Sequence, residues 1–256
     1  MLKRILIFVY GVVCYAVFFA TFLYAIGFIG NLVVPKSIDS PATKPFAYAL
    51  GIDLLLLAIF AVQHSVMARP WFKRAWTRIV PEPAERSTYV LFSSVALIAL
   101  FALWQPLGGT VWNIESAVGR SAMYDIFGLG FALVLVSTFL INHFDLFGLR
   151  QVWLYLRGKE YTHLSFKTPL FYKYVRHPLY VGWFMAFWAT PTMTVTHLLF
   201  AVMTTAYIVI AIRWEEKDLV MAHGSKYEEY RNRVPMLLPS VTPYQPAAPQ
   251  GARRTA

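Results

Sequence analysis

Four stretches of the chain, residues 5–30, 46–68, 88–105 and 122–142, are nearly unbroken runs of apolar side chains with the polar residues gathered at their ends. Each supplies the roughly 20 residues that a helix needs to cross a bilayer's hydrocarbon. A backbone in that medium must satisfy its own hydrogen bonds, so each run predicts one membrane-spanning helix. A fifth apolar region, 178–213, is too long for one straight helix and short for two. Pro191, in WATPTMTVT, sits near its middle, and proline breaks a helix. The pattern therefore predicts a tight terminal hairpin, six membrane helices and an all-α polytopic fold, with one domain over 1–238. From Pro239 onward, PSVTPYQPAAPQGARRTA has repeated proline and no apolar period, which predicts a disordered tail over 239–256.

Composition agrees: 58% of the 256 residues are hydrophobic, 14% are charged, and the mean hydropathy of +0.52 is too apolar for an ordinary soluble domain. The net charge of +10 comes from basic residues in short loops between apolar runs, a pattern that suits anionic lipid headgroups and argues against nucleic acid. Lys3 and Arg4 precede the first run as in a signal peptide, but the run is too long for one and reads as an uncleaved anchor. Short cytoplasmic loops carry the excess of Lys and Arg. With both termini cytoplasmic, six helices leave only Lys36, Lys44 and Arg120 of the 23 basic residues outside; five helices lose that asymmetry. Trp71, Trp104, Trp112, Trp153, Trp183 and Trp214 fall near span ends, as interfacial anchors do. Cys14 lies within an apolar run and has no second cysteine to pair with.

The polar residues that interrupt the runs collect at the predicted cytoplasmic face. AVQHSVM brings Gln63, His64 and Ser65 there, and FLINHFDLFG brings Asn142, His143 and Asp145. RHPLY opens the fifth helix at the same level and RWEEKDL closes the sixth. Ionisable groups in a bilayer are costly and take partners or functions. A lone His64 is most simply an interfacial histidine bonded to a neighbouring carbonyl, whereas Asn142 and His143 are balanced between a helix end and a site. Asp53, nearer the outer half, stays unassigned. Glu215 and Glu216 are read as adjacent carboxylates at a helix C-terminus, where the macrodipole disfavours them, so a cation should compensate: Arg213, Lys217 or a cationic ligand. Pro178 suits a first helical turn, and Gly182 leaves room for a second helix or a ligand.

Arg176, His177, Pro178, Tyr180 and Gly182, then Glu215, Glu216 and Leu219, Tyr227 and Tyr230, and Val234 and Pro235 form R-H-P-x-Y-x-G, E-E-x-x-L, Y-x-x-Y and Val-Pro in order. In this the chain resembles the membrane methyltransferases related to isoprenylcysteine carboxyl methyltransferase. The pattern departs in placing Arg213 two residues before Glu215 rather than a full turn. Residues 63–94 and 141–166 are similar to the branch that methylates small thiols and to NnrU-like membrane proteins. The resemblance implies an S-adenosylmethionine-dependent enzyme in a bacterial inner membrane, with the cofactor region at about 142–238. It also implies that Arg176, His177, Pro178, Tyr180, Gly182, Glu215, Glu216, Tyr227 and Tyr230 hold the methyl donor.

Such a reaction needs in-line approach of a thiolate and exclusion of water. An alkyl thiol is mostly protonated near neutrality, so a cation or a base helps. Arg176, His64 and His143 are the candidates for that, with Gln63, His64, Asn142 and His143 lining the substrate position. Methanethiol, methylated to dimethyl sulfide, is the expected acceptor; a prenylcysteine carboxylate or a lipid is the alternative. A haem or metal protein built on His64 and His143 ranks lower, because neither C-x-x-C-H nor a repeated metal-ligand spacing occurs.

Overall fold

The computed structural model describes residues 1–245. In chain order they form α1 (Leu2–Gly30), α2 (Phe46–Ala68), α3 (Pro70–Trp76), α4 (Glu82–Leu103), β1 (Thr110–Asn113), α5 (Ala117–Ile141), α6 (His143–Leu146), α7 (Leu149–Leu156), a 3-10 turn at Leu170–Lys173, α8 (Pro178–Trp188), β2 (Thr192–Thr194), α9 (Val195–His223) and α10 (Ser225–Arg233). Among them α1, α2, α4, α5 and α9 are long and apolar enough to cross a membrane. The four expected spans are present, α4 and α5 each beginning about a turn or more earlier than the apolar run alone suggests, because their first turns carry polar residues.

The fifth apolar region divides where Pro191 stands. Its first part, α8, has 11 residues, about 16 Å at 1.5 Å per residue and half a hydrocarbon thickness. It packs against α9: Trp188 Nε1 donates to Thr205 Oγ1 at 2.9 Å, and the Phe187 and Phe200 rings meet edge to face at 5.2 Å. Between the two helices lies an element that the pattern did not predict, since three or four residues give no readable alternation. β2 pairs antiparallel with β1, and Trp112 Nε1 donates to the Thr190 carbonyl at 3.2 Å. The fold is thus mostly helical, in keeping with the all-α expectation, with one short two-stranded clip at the turn that the pattern did not predict.

α8 is held on its other side by α5. A β-carbon added at Gly182 would lie 2.7 Å from the Gly130 carbonyl oxygen, and one at Gly130 would lie 2.8 Å from that of Gly182. The two backbones touch, as at small-residue crossings in membranes. Around this crossing the core is aromatic, with Phe127, Phe131, Phe187, Phe200, Phe101, Phe28 and Trp104 buried.

At one end of the bundle Asp53 is fully buried, and its Oδ1 accepts from the Gln105 amide at 2.8 Å, just past the end of α4. Asp53→Ala should lower stability by about 1–3 kcal/mol, the cost of an unmade buried hydrogen bond, and Asp53→Asn by less, because the amide oxygen still accepts. Thermal unfolding in detergent reads both. At the same end Asp39 ties the α1–α2 loop to Thr194 Oγ1 and to His197 Nδ1.

The opposite end collects the basic residues. Arg69 pairs with Asp218 at 3.1 Å, Arg86 Nε donates to the Leu146 carbonyl at 2.8 Å, and the Arg4 guanidinium sits over the Tyr155 ring. The C-terminal chain returns to this end. The Ser240 amide donates to the Tyr174 carbonyl at 2.9 Å, the Tyr244 amide to that of Lys173 at 2.8 Å, and Tyr244 is buried against Tyr230. Residues 239–245 of the expected tail are therefore docked; 246–256 lie outside the described residues.

Candidate active site

The RHP segment turns the chain into α8. Pro178 takes the first helical position, where its missing N–H is no loss, and His177 precedes it as the capping residue. The Arg176 and His177 amides donate to the carbonyls of Pro235 and Met236 at 2.9 and 3.3 Å, so the Val-Pro segment holds this entry in place. Both side chains then reach α9. Glu216 Oε1 accepts from Arg176 Nε at 2.7 Å and from His177 Nε2 at 3.1 Å; Glu215 Oε2 accepts from the Tyr180 hydroxyl at 2.7 Å. His177 Nδ1 lies 3.9 Å from Glu215, beyond a hydrogen bond. Five of the residues read from sequence, Arg176, His177, Tyr180, Glu215 and Glu216, are thereby joined between α8 with its entry segment and α9.

The adjacent carboxylates differ in their freedom. The Glu216 side chain is 13% exposed and occupied by two donors, while that of Glu215 is 44% exposed and anchored by one oxygen. Both sit about two turns before the end of α9, which continues to His223. This corrects the expectation of a helix end: the macrodipole does not call for their compensation, and Arg176 and His177 supply it directly. Arg176 also donates from Nη1 to the carbonyls of Arg231 and Val234, at 2.7 and 2.6 Å. It caps the C-terminus of α10, where a cation is favoured. Arg176 thus staples α8, α9 and α10 together.

Tyr227 and Tyr230 are each 2% exposed. The Tyr230 hydroxyl donates to the Tyr172 carbonyl at 2.7 Å. Among the described residues the Tyr227 hydroxyl is buried with no hydrogen-bond partner. Burial first, then neighbouring carboxylates, pushes the phenols of Tyr227 and Tyr172 well above their ordinary range, so both stay protonated donors. Gly182 lies away from this cluster, spent on the contact with α5.

His64 and His143 form two further clusters. His64 Nδ1 is 3.1 Å from Ser93 Oγ, Nε2 is 2.9 Å from the Tyr89 hydroxyl, and the ring stacks on Phe60 at 5.2 Å. Gln63 turns its amide to Met67 Sδ at 3.1 Å, and its neighbour Ser65 meets the Tyr207 hydroxyl at 3.0 Å. His143 is 2% exposed, with Nε2 2.8 Å from the Tyr15 hydroxyl and Nδ1 2.8 Å from Thr138 Oγ1, and lies flat on Phe139. Asn142 is not brought to a shared site: its side chain accepts from the Asp145 amide and caps α6. Asp145 pairs with Arg150 at 2.9 Å. Sequence reading missed Tyr15, Tyr89, Ser93, Thr138 and Tyr207, which lie within apolar runs and look like ordinary core residues. The signal available was spacing: Tyr89 and Ser93 are four apart on one face of α4.

Two acidic side chains, an imidazole and buried phenols at one end of a spanning bundle suit a ligand that combines a cation with hydroxyls. Across 94% of its own length and of the relative's, the chain is 61% identical to the methanethiol S-methyltransferase of Crocosphaera subtropica. It is 52% identical to that of Mycobacterium tuberculosis, over 93% of this chain and 98% of the relative. A Nurim homolog of Drosophila pseudoobscura pseudoobscura is 30% identical over 78% of this chain and 88% of its own. No family model matches, and no solved structure does. The protein is therefore a helical membrane enzyme that transfers methyl groups from a methyl donor. Within that class, the chain belongs to the methanethiol S-methyltransferase family.

Proposed function

We propose that the protein methylates methanethiol with S-adenosylmethionine, releasing dimethyl sulfide, at the cytoplasmic face of a bacterial inner membrane. The observation that carries this reading is the cluster of Glu215, Glu216, His177 and Tyr180, in a chain 61% identical to a relative named for that reaction. The residues present fit the donor. Glu215 is half open with one oxygen anchored, as a carboxylate awaiting a ribose hydroxyl or an ammonium would be, and Tyr227 offers a buried hydroxyl that has no partner among the described residues. When bound, S-adenosylmethionine supplies a methyl carbon activated by its sulfonium. The chain's own work is to orient it: Glu216 fixes His177 and Arg176, Tyr180 fixes Glu215, and α10 with Tyr227 and Tyr230 closes the cluster's outer side.

The clustering of basic residues supports placing both termini and this end of the bundle in the cytoplasm, where the donor is made. The packing of α8 against α9 supports six insertions, the fifth reaching part way. An apolar thiol needs no aqueous entrance. An open, apolar groove of about 530 Å³ along α2, lined by Ala58, Ile59, Val62, Gln63, Val66, Met67 and Phe72, is a surface that such a thiol could meet from the lipid.

Purified protein in lipid vesicles, given methanethiol and S-adenosylmethionine, should release dimethyl sulfide in step with S-adenosylhomocysteine. It should leave a prenylcysteine carboxylate unmethylated. Carboxyl methylation without dimethyl sulfide would replace this reading by the other acceptor class.

A further inference from the structure

S-adenosylmethionine ends in an α-amino acid, whose ammonium and carboxylate sit on one carbon and call for an acid and a cation side by side. The paired glutamates meet the first need only. Arg176 is already committed, with Nε donating to Glu216 and Nη1 to the carbonyls of Arg231 and Val234, and its side chain is 12% exposed against 27% for Arg69. We propose, on the reading that S-adenosylmethionine is the methyl donor, that Arg69 binds the donor's carboxylate and that Asp218, together with Glu215, takes its ammonium.

Helical spacing brings these groups together. At about 100° per residue, Asp218 comes round to within about 60° of Glu215 on α9, and side chains three apart have β-carbons about 5–6 Å from each other. Arg213 and Lys217 stand differently. Each is two residues from Glu215, about 160° round, on the far side of the helix. The cation for this face therefore comes from outside α9. Arg69, at the junction of α2 and α3, reaches it with Nη1 3.1 Å from Asp218 Oδ2, and its guanidinium carbon lies 5.8 Å from the centre of the Trp214 ring.

The guanidinium is held in place and still has donors to offer. Its Nε donates to the Ser65 carbonyl at 3.3 Å, and the Trp214 ring fixes it from one side. Among the described residues Nη2 makes no hydrogen bond, and neither Asp218 Oδ1 nor Glu215 Oε1 accepts one. The Asp218 and Glu215 side chains are 36% and 44% exposed. An ion pair this open does little to hold two helices together. The hydroxyls of Ser65 and Tyr207, 3.0 Å apart, already make that connection between α2 and α9. What Arg69 and Asp218 add is a matched set of free groups: carboxylate oxygens for an ammonium, beside a planar fork of N–H donors, which suits a carboxylate.

The full chain in lipid nanodiscs, titrated by calorimetry with S-adenosylmethionine and with its decarboxylated form, tests this. The second ligand keeps the sulfonium and an ammonium and lacks the carboxylate. Wild-type protein should bind the intact donor at least about 10-fold more tightly, as one charge-assisted hydrogen bond allows. Arg69→Gln should weaken the intact donor by about 10–100-fold and keep the decarboxylated one within about 3-fold of its wild-type affinity, which also certifies the fold. Arg69→Lys, which retains the charge without the fork, should fall between the two and takes over the comparison if Arg69→Gln does not fold. Asp218→Asn should weaken both ligands, since both present the ammonium. Equal weakening of the two ligands by Arg69→Gln would reduce Arg69 to a joint between α2 and α9 and overturn the proposal. Unchanged affinity for the intact donor in that variant, or a wild-type protein that does not distinguish the ligands, would overturn it too. A wild-type protein that binds neither would instead overturn the reading on which it rests.

Discussion

Glu216→Ala is expected to cost the protein at least about 100-fold in affinity for S-adenosylmethionine while leaving its helix content unchanged. Glu216 Oε1 is the common acceptor for Arg176 Nε and His177 Nε2. Hydrogen bonds to a charged group are worth about 1.5–3 kcal/mol each, and every 1.4 kcal/mol is tenfold in an equilibrium constant. Removing the carboxylate also leaves a guanidinium 12% exposed with its charge uncompensated, and breaking one partner of a buried pair costs about 3–5 kcal/mol. Arg176 keeps its bonds to the α10 carbonyls, so α10 remains attached. Glu215→Ala should weaken donor binding too, but with a smaller structural consequence, because Tyr180 is its single hydrogen-bonded neighbour among the described residues. Titration calorimetry and far-ultraviolet circular dichroism on the same preparations separate the two effects. Wild-type donor affinity in Glu216→Ala would remove this cluster from the donor site.

The second large effect is expected at Gly182, through packing rather than chemistry. A valine there would drive its β-carbon to 2.7 Å from the Gly130 carbonyl oxygen and 2.9 Å from the Val134 amide nitrogen, both of them backbone atoms that cannot rotate away. Forced overpacking costs about 1–3 kcal/mol where side chains can yield, and here the helices themselves must part. Gly182→Val should therefore lower the melting temperature in detergent by roughly 5–10 °C, at about 2–4 °C per kcal/mol for a chain of this size. Because α8 carries His177 and Tyr180, donor binding should fall with it. Gly128, whose added β-carbon would meet nothing within 4 Å, should accept alanine without a shift.

Much of this molecule is legible in its sequence, because a bilayer imposes length and polarity on every segment that crosses it. The spans ending near Gly30 and Ala68, the break at Pro191, and the gathering of RHPLY with the paired glutamates all follow from apolar runs and the placement of charge. What was not legible depends on neighbours in space. The clip between β1 and β2 is too short to show a period of two, and its partners lie far apart in the chain. The end of α9 was misplaced because the helix leaves the apolar run at Arg213 and continues through RWEEKDLVMAH, where the residues are polar but still helix-forming. Gly182 was read with the donor because it follows Tyr180 in the motif, while the structure gives it to α5. Tyr89 and Ser93 gave no sign of their link to His64, since a hydroxyl within an apolar helix is usually a satisfied core residue.

The docked segment 239–245 makes the same point from another side. Proline and small polar residues predicted disorder, yet Ser240 and Tyr244 pair with backbone beside the 3-10 turn, and Tyr244 packs on Tyr230. A single aromatic residue with a waiting surface outweighs the composition of its surroundings. Its position, over the helix that Arg176 caps, ties the end of the described chain to the site.

The most direct measurement is a density map of the protein in lipid nanodiscs with S-adenosylhomocysteine bound. The expected result is ligand density against Glu215, with its ribose or amino group within hydrogen-bond distance of that carboxylate and Tyr227 and His177 beside it. Density elsewhere, touching none of Glu215, Glu216, His177 and Tyr180, would contradict the account.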